Sequence, residues 1–82
     1  MSNKILKFSA DWCQPCKQLS KTMDALNLAT LVEEVDIEKN EALAFEYKIR
    51  GVPTLVLLKD GKEYSRITGT KTAEQILQFA AG

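Results

Sequence analysis

Two cysteines, Cys13 and Cys16, constrain this chain more than any other feature, because they are its only cysteines and stand where the sequence changes period. Before them runs Ile5-Leu6-Lys7-Phe8, an apolar stretch of strand length. After them Cys16, Leu19, Met23 and Leu26 recur at intervals of three and four, which is one face of a helix. A Cys-x-x-Cys at a strand-to-helix junction reads as a thiol–disulfide redox site. The free N–H groups and partial positive charge of a helix N-terminus stabilise a thiolate there. Such placement lowers a thiol pKa from about 8.5 into a range of roughly 3.5–7.5. The thiolate is the nucleophile of disulfide exchange.

Spacing also divides the labour. Cys16 lies on the apolar stripe and faces the core. Cys13 lies at the helix tip, off the stripe, and is expected to be the more exposed sulfur and the attacking one, with Cys16 resolving. Pro15 suits the first turn, where a missing N–H costs little. A loop this short makes a poor structural staple. With no histidine in the sequence, Ser/His and Cys/His catalytic pairs and a four-ligand Cys/His zinc site within one chain are excluded.

Eighty-two residues, 45% apolar and 27% charged, fit a single domain over 1–82, near the small end for one core. Eleven basic and eleven acidic residues cancel, which gives no electrostatic case for nucleic acid or an anionic membrane. No apolar run approaches the ~20 residues that span a bilayer. Met1-Ser2-Asn3-Lys4 leads directly into the first strand-like run without the features of a signal peptide. The expected location is the cytoplasm.

In chain order, residues 4–9 read as a strand buried on both faces, with Lys7 as its polar interruption. A helix is expected from about Cys13 to Asn27, then a second strand over 30–37, parallel to the first through a right-handed crossover. Asn40 is a candidate N-cap for a short helix to Tyr47 or Lys48, with Leu43 and Tyr47 on its inner face. Residues 49–53 form a loop and Leu55–Leu58 a buried strand. Asp60-Gly61 is a two-residue hairpin signal leading to an edge strand at 62–68. Thr72-Ala73-Glu74-Gln75 has the form of a capping box and opens a last helix with Ala73, Ile76, Leu77 and Ala80 on one stripe.

Three segments together resemble the thioredoxin family. Trp12-Cys13-Gln14-Pro15-Cys16-Lys17 is similar to its usual Trp-Cys-Gly-Pro-Cys-Lys, with glutamine in place of glycine. Ile49-Arg50-Gly51-Val52-Pro53-Thr54-Leu55 resembles the loop whose proline is cis and packs against the disulfide. Thr68-Gly69 resembles the turn before the last helix. The resemblance covers residues 4–81 and implies a minimal α/β fold of order βαβαββα, a four-stranded mixed sheet flanked by helices. Family members usually carry an additional strand and helix before this unit, so one sheet edge is expected to be open or locally protected.

The resemblance also implies site roles. Trp12 would shield the disulfide and meet the substrate. Pro53 would be cis, with no N–H to compete for the sulfur. The Val52 backbone would pair with an extended substrate segment. Gly51 and Gly69 would keep the surface beside Cys13 flat, unless each simply serves a positive-φ turn. Lys17 is expected to be solvated, and Asp11 a surface charge.

One departure stands out. The family usually carries an aspartate six residues before the attacking cysteine and a lysine on the neighbouring strand. Here those positions hold Lys7 and Glu34, with the signs exchanged. Lys7 and Glu34 are expected to pair across the parallel strands, with Glu34 removing the Cys16 proton directly or through water. The plainer alternative has Lys7 extending to solvent and Glu34 as an exposed strand charge.

The implied activity is thiol–disulfide exchange on protein disulfides by a monomer, without a bound cofactor. The implied partners are a flavin-dependent thioredoxin reductase upstream and ribonucleotide reductase, peroxiredoxins or methionine sulfoxide reductases downstream. A glutathione-dependent, glutaredoxin-like enzyme fits the size, but not the Gln14-Pro15 pair or the Gly51 before Val52. A docking module, in which redox chemistry is incidental, is the alternative from another class.

Overall fold

The computed structural model describes residues 3–28 and 30–82, so the reading of Met1-Ser2 lies outside the described residues. The order is β1 (Asn3–Ser9), α1 (Gln14–Ala25), β2 (Val32–Asp36), α2 (Glu41–Glu46), β3 (Thr54–Lys59), β4 (Lys62–Thr68) and α3 (Ala73–Ala81). The strands form one mixed sheet in the order β2-β1-β3-β4. β1 and β2 are parallel, and β1–β3 and β3–β4 are antiparallel. This is the βαβαββα arrangement expected from the sequence.

The apolar runs of β1 and β3 alternate between two cores. Ile5, Leu55 and Leu57 point to one face, where Leu19 and Met23 of α1 and Ile76 of α3 cover them. Leu6, Phe8, Val56 and Leu58 point to the other, where they meet Val35 and, from α2 and its C-terminal flank, Leu43, Ala44 and Tyr47. A strand buried on both faces has no solvent side, and so its sequence is nearly unbroken in apolar residues. Each fully buried Leu, Ile or Phe contributes about 1.5–3 kcal/mol relative to exposure. The two central strands therefore form the rigid base on which the loops at one end of the sheet are set.

Local chemistry sets the boundaries. Asp60 and Gly61 take φ of 53° and 83° between the paired Lys59 and Lys62, as a two-residue primed turn requires. Thr72 and Gln75 exchange both capping-box hydrogen bonds. Asn40 caps α2, its side chain accepting from the Leu43 N–H at 3.3 Å. α1 ends earlier than its apolar spacing predicts, because Asn27 adopts φ 59° and turns the chain out of the helix. On α3 the inner stripe is Ile76, Phe79 and Ala80, whereas Ala73 and Leu77 face outward. The larger Phe79, one turn after Ile76, takes the place against the core that the spacing assigned to Leu77.

Candidate active site

The chain leaves β1 at Ser9, turns through Ala10-Asp11-Trp12 and enters α1 at Cys13, its N-cap. Cys13 and Cys16 are joined in a disulfide, with Cα atoms 5.2 Å apart. The Cys13 Sγ accepts a hydrogen bond from the Cys16 N–H at 3.1 Å. One of the helix's free amides is thus aimed at the sulfur that the sequence assigns as nucleophile. The expected difference in exposure is absent: both cysteines are 2% exposed. With the disulfide closed, Ala10, Ile37 and Val52 pack over the pair. The two sulfurs differ in polar surroundings instead. Cys13 holds the amide contact, while Cys16 lines a polar cavity behind the disulfide.

The second segment meets the first at this point. The Val52–Pro53 bond is cis and Pro53 is buried. The Gly69 N–H donates to the Pro53 carbonyl at 2.9 Å, and the Thr54 hydroxyl donates to the Gly51 carbonyl at 2.7 Å. Trp12, Ile37, Ala44, Ile49, Gly51 and Val52 line an open groove of about 300 Å³. Trp12 is 63% exposed, unusual for an indole and suited to contact with another molecule. The glycines separate into two cases. Gly69 has φ +90°, a backbone that excludes most side chains. Gly51 has no such φ and nothing within 4 Å of where a Cβ would stand, so at Gly51 only the open surface reading applies.

Beneath the disulfide, Lys7 and Glu34 are directly opposed in the β1–β2 register. The Lys7 Nζ lies 3.0 Å from the Glu34 carboxylate and also donates to the Ser20 hydroxyl. The Ser9 hydroxyl donates to the same Glu34 oxygen at 3.2 Å. Lys7 is 2% exposed, so the solvated-lysine alternative does not describe it, whereas the Glu34 side chain is 61% exposed. The pair is therefore half buried, with its cation inside and its carboxylate at the surface. Lys7, Ser9, Ser20 and Glu34 line, with Cys16, a cavity of about 320 Å³.

Ser9 and Ser20 were not singled out from the sequence, yet their positions place them there. Ser9 lies two residues along β1 from Lys7, on the same face. Ser20 lies one helical turn beyond Cys16. Asp11, Lys17 and Asp36 also line the cavity. The Asp36 carboxylate holds the next turn, accepting from the N–H groups of Glu38 at 2.8 Å and Lys39 at 3.3 Å.

Comparisons with known proteins agree with this geometry. The family model described as Thioredoxin matches residues 2–82. A thioredoxin of Chlamydia caviae is 35% identical over 78 residues, covering 92% of this chain and 76% of that one. The solved structure of a mutant thioredoxin from Halobacterium salinarum superposes with a TM-score of 0.88 at 34% identity, covering 96% of this chain and 72% of that one. A Fasciola hepatica thioredoxin structure gives 0.87 at 29% identity, over 98% and 79%. They favour neither the glutathione-dependent nor the docking alternative. A cysteine pair at the tip of α1, backed by the Val52–Pro53 loop and set in this sheet, makes the chain a thiol–disulfide oxidoreductase, and it belongs to the thioredoxin family.

Proposed function

We propose that the protein is a protein-disulfide reductase that works as a monomer. The observation that carries this reading is the Cys16 N–H bonded to Cys13 Sγ beside an open groove. In the reduced state the Cys13 thiolate attacks one sulfur of a substrate disulfide. A Cys13–substrate disulfide forms, and the other substrate sulfur leaves as a thiolate that takes up a proton. Cys16 then attacks Cys13 Sγ, releases the second substrate thiol and closes the Cys13–Cys16 disulfide. The substrate gains two electrons and the pair loses two.

Substrate binding uses Trp12, Gly51, Val52, Pro53 and Gly69. The Val52 backbone offers strand-like pairing to an extended segment around the substrate cysteine. Glu34, held by Lys7 and Ser9 at the mouth of the cavity that Cys16 lines, takes the Cys16 proton directly or through water. A flavin-dependent thioredoxin reductase restores the dithiol, and ribonucleotide reductase, peroxiredoxins or methionine sulfoxide reductases receive the electrons. A dithiol that must be recharged works in a reducing compartment, which we take to be the cytoplasm.

The test is NADPH consumption during insulin reduction with two recharging systems in parallel, thioredoxin reductase or glutathione with glutathione reductase. Turnover with thioredoxin reductase alone is the expected result, and turnover with glutathione alone would overturn the donor assignment. For Glu34, the expected result is a Glu34→Gln variant that resolves the mixed disulfide more slowly near neutral pH. An unchanged rate across the pH range would remove the base role.

A further inference from the structure

Among the described residues Lys7 is the only charged side chain that is buried. Burying an ion costs several kcal/mol unless its partners are well placed, and an apolar residue of similar volume is often as stable or more so. The contacts of Lys7 with Ser20 and Glu34 offset that cost without making an ammonium necessary for stability. Its location suggests a role, since Lys7 and Cys16 line the same cavity.

The other charges that face Cys16 come from every element around it. Asp11 lies in the turn after β1, Lys17 on α1, and Glu34 and Asp36 on β2. Ile37 and Val52 bring only apolar surface. Asp11 and Lys17 are exposed and of opposite sign, so water screens them. Asp36 is turned to its own loop amides. Glu34 is mostly in solvent. The buried ammonium is thus the cavity charge that water screens least, and Glu34, 3.0 Å away but largely in solvent, offsets it only in part.

We infer that Lys7 is a positioning charge for the resolving cysteine, favouring the thiolate of Cys16 in the reduced protein and making the dithiol couple more oxidising than a neutral residue would. The inference rests on reading Cys13–Cys16 as the redox couple. The disulfide carries no charge, whereas the dithiol can ionise. A fixed cation therefore stabilises only the reduced form, and only where the pH allows a thiol to ionise. A lower cost for the Cys16 thiolate also eases the passage of its proton to Glu34 before Cys16 attacks the mixed disulfide. Glu34, besides accepting the Cys16 proton, opposes the ammonium's field weakly from the surface.

The two charges of the pair therefore act on the couple with opposite signs, which a merely structural role would not produce. The test is the equilibrium of the full-length protein with reduced and oxidised glutathione at pH 8, read by thiol labelling. Lys7→Met is expected to shift it about tenfold toward the Cys13–Cys16 disulfide, which is about 30 mV more reducing. Glu34→Gln is expected to shift it in the opposite direction by a smaller factor, and Lys7→Arg to stay nearer the unaltered protein than Lys7→Met does.

In a Cys13→Ser background, the pH profile of Cys16 alkylation by iodoacetamide should move upward with Lys7→Met, by about 1–3 pH units for the loss of an opposite charge. A folded Lys7→Met protein with an unmoved equilibrium, or Lys7→Met and Glu34→Gln shifting it in the same direction, would overturn the inference. Should Lys7→Met fail to fold, Glu34→Gln decides, and a shift toward the disulfide or none overturns it. Insulin reduction by the unaltered protein separates this result from the proposed function. Opposite shifts without insulin turnover would leave the charge effect standing and remove the reductase reading.

Discussion

Among the described residues two ion pairs join β1 and β2, and they differ in almost everything but chemistry. Lys4 and Glu33 meet at 2.6 Å on the α2 face, both about half exposed. Lys7 and Glu34 meet at 3.0 Å on the α1 face, with the lysine side chain 3% exposed. The first is a surface pair of the kind worth about 0–1 kcal/mol and weakened by salt. It also places charge on the edge strand β2, which discourages pairing with another chain. The second puts its cation in the polar cavity behind Cys16. Burial, not pairing as such, is what sets the second lysine–glutamate contact apart and brings its cation into the cavity that Cys16 lines.

Inverting the two cations should separate the pairs most widely. Lys7→Glu would enclose a carboxylate beside Glu34 and is expected to cost about 3–5 kcal/mol in urea unfolding of the oxidised protein. Lys4→Glu should stay within about 1 kcal/mol. Equal losses would mean that burial does not distinguish the pairs. A smaller effect should follow from Ser20→Ala, which removes one acceptor from the buried ammonium. A loss of about 1–3 kcal/mol by the same measurement is expected, the cost of a buried group left short of a partner.

Neutralisation sharpens the contrast. Lys7→Met is expected to cost little stability, because the partner it leaves behind, Glu34, is 61% exposed and turns to water. Lys4→Met should change stability by less than about 1 kcal/mol and leave the glutathione equilibrium where it was. A Lys4→Met shift as large as that of Lys7→Met would show that simple net charge, not position, sets the couple.

The smallest effect is expected at a third pair, on β4, where the Arg66 guanidinium donates to Glu63 at 2.7 and 2.8 Å. Its hydrogen bonding to Glu63, more than its charge, holds that carboxyl below the ordinary carboxylate value. A lowered folded-state pKa gives stability that is present above the unfolded value and is lost as pH falls through the folded one. Because the pair is near the surface, Glu63→Gln should remove at most about 0.2–1 kcal/mol near neutral pH and nothing in strong acid. Urea unfolding at both pH values measures the difference.

Much of this architecture was legible because it is local. The cysteine pair at a change of period, Asn40, Asp60-Gly61 and the Thr72–Gln75 box each act within one turn, and each occupies the place its chemistry demands. The Lys7–Glu34 contact was legible through the family resemblance, which sets the two at the places of a usual aspartate and lysine, and the parallel register does oppose them. What the chain did not reveal depends on contacts between distant segments. Ile37 and Val52 close over both cysteines, erasing the expected difference in exposure. The rotation of α3 that buries Phe79 and exposes Leu77 is decided by the shape of the core, not by spacing along the helix. Ser20 becomes a partner of Lys7 only when α1 packs on β1.

In the proposed reaction Cys13 attacks and Cys16 resolves. Reduced Cys16→Ser and Cys13→Ser variants mixed with insulin and resolved by non-reducing mass spectrometry test it most directly. The expected result is a covalent adduct through Cys13 that accumulates in Cys16→Ser and dissolves with added thiol, and little or none in Cys13→Ser. An adduct formed chiefly through Cys16, or none in either variant, would contradict the account.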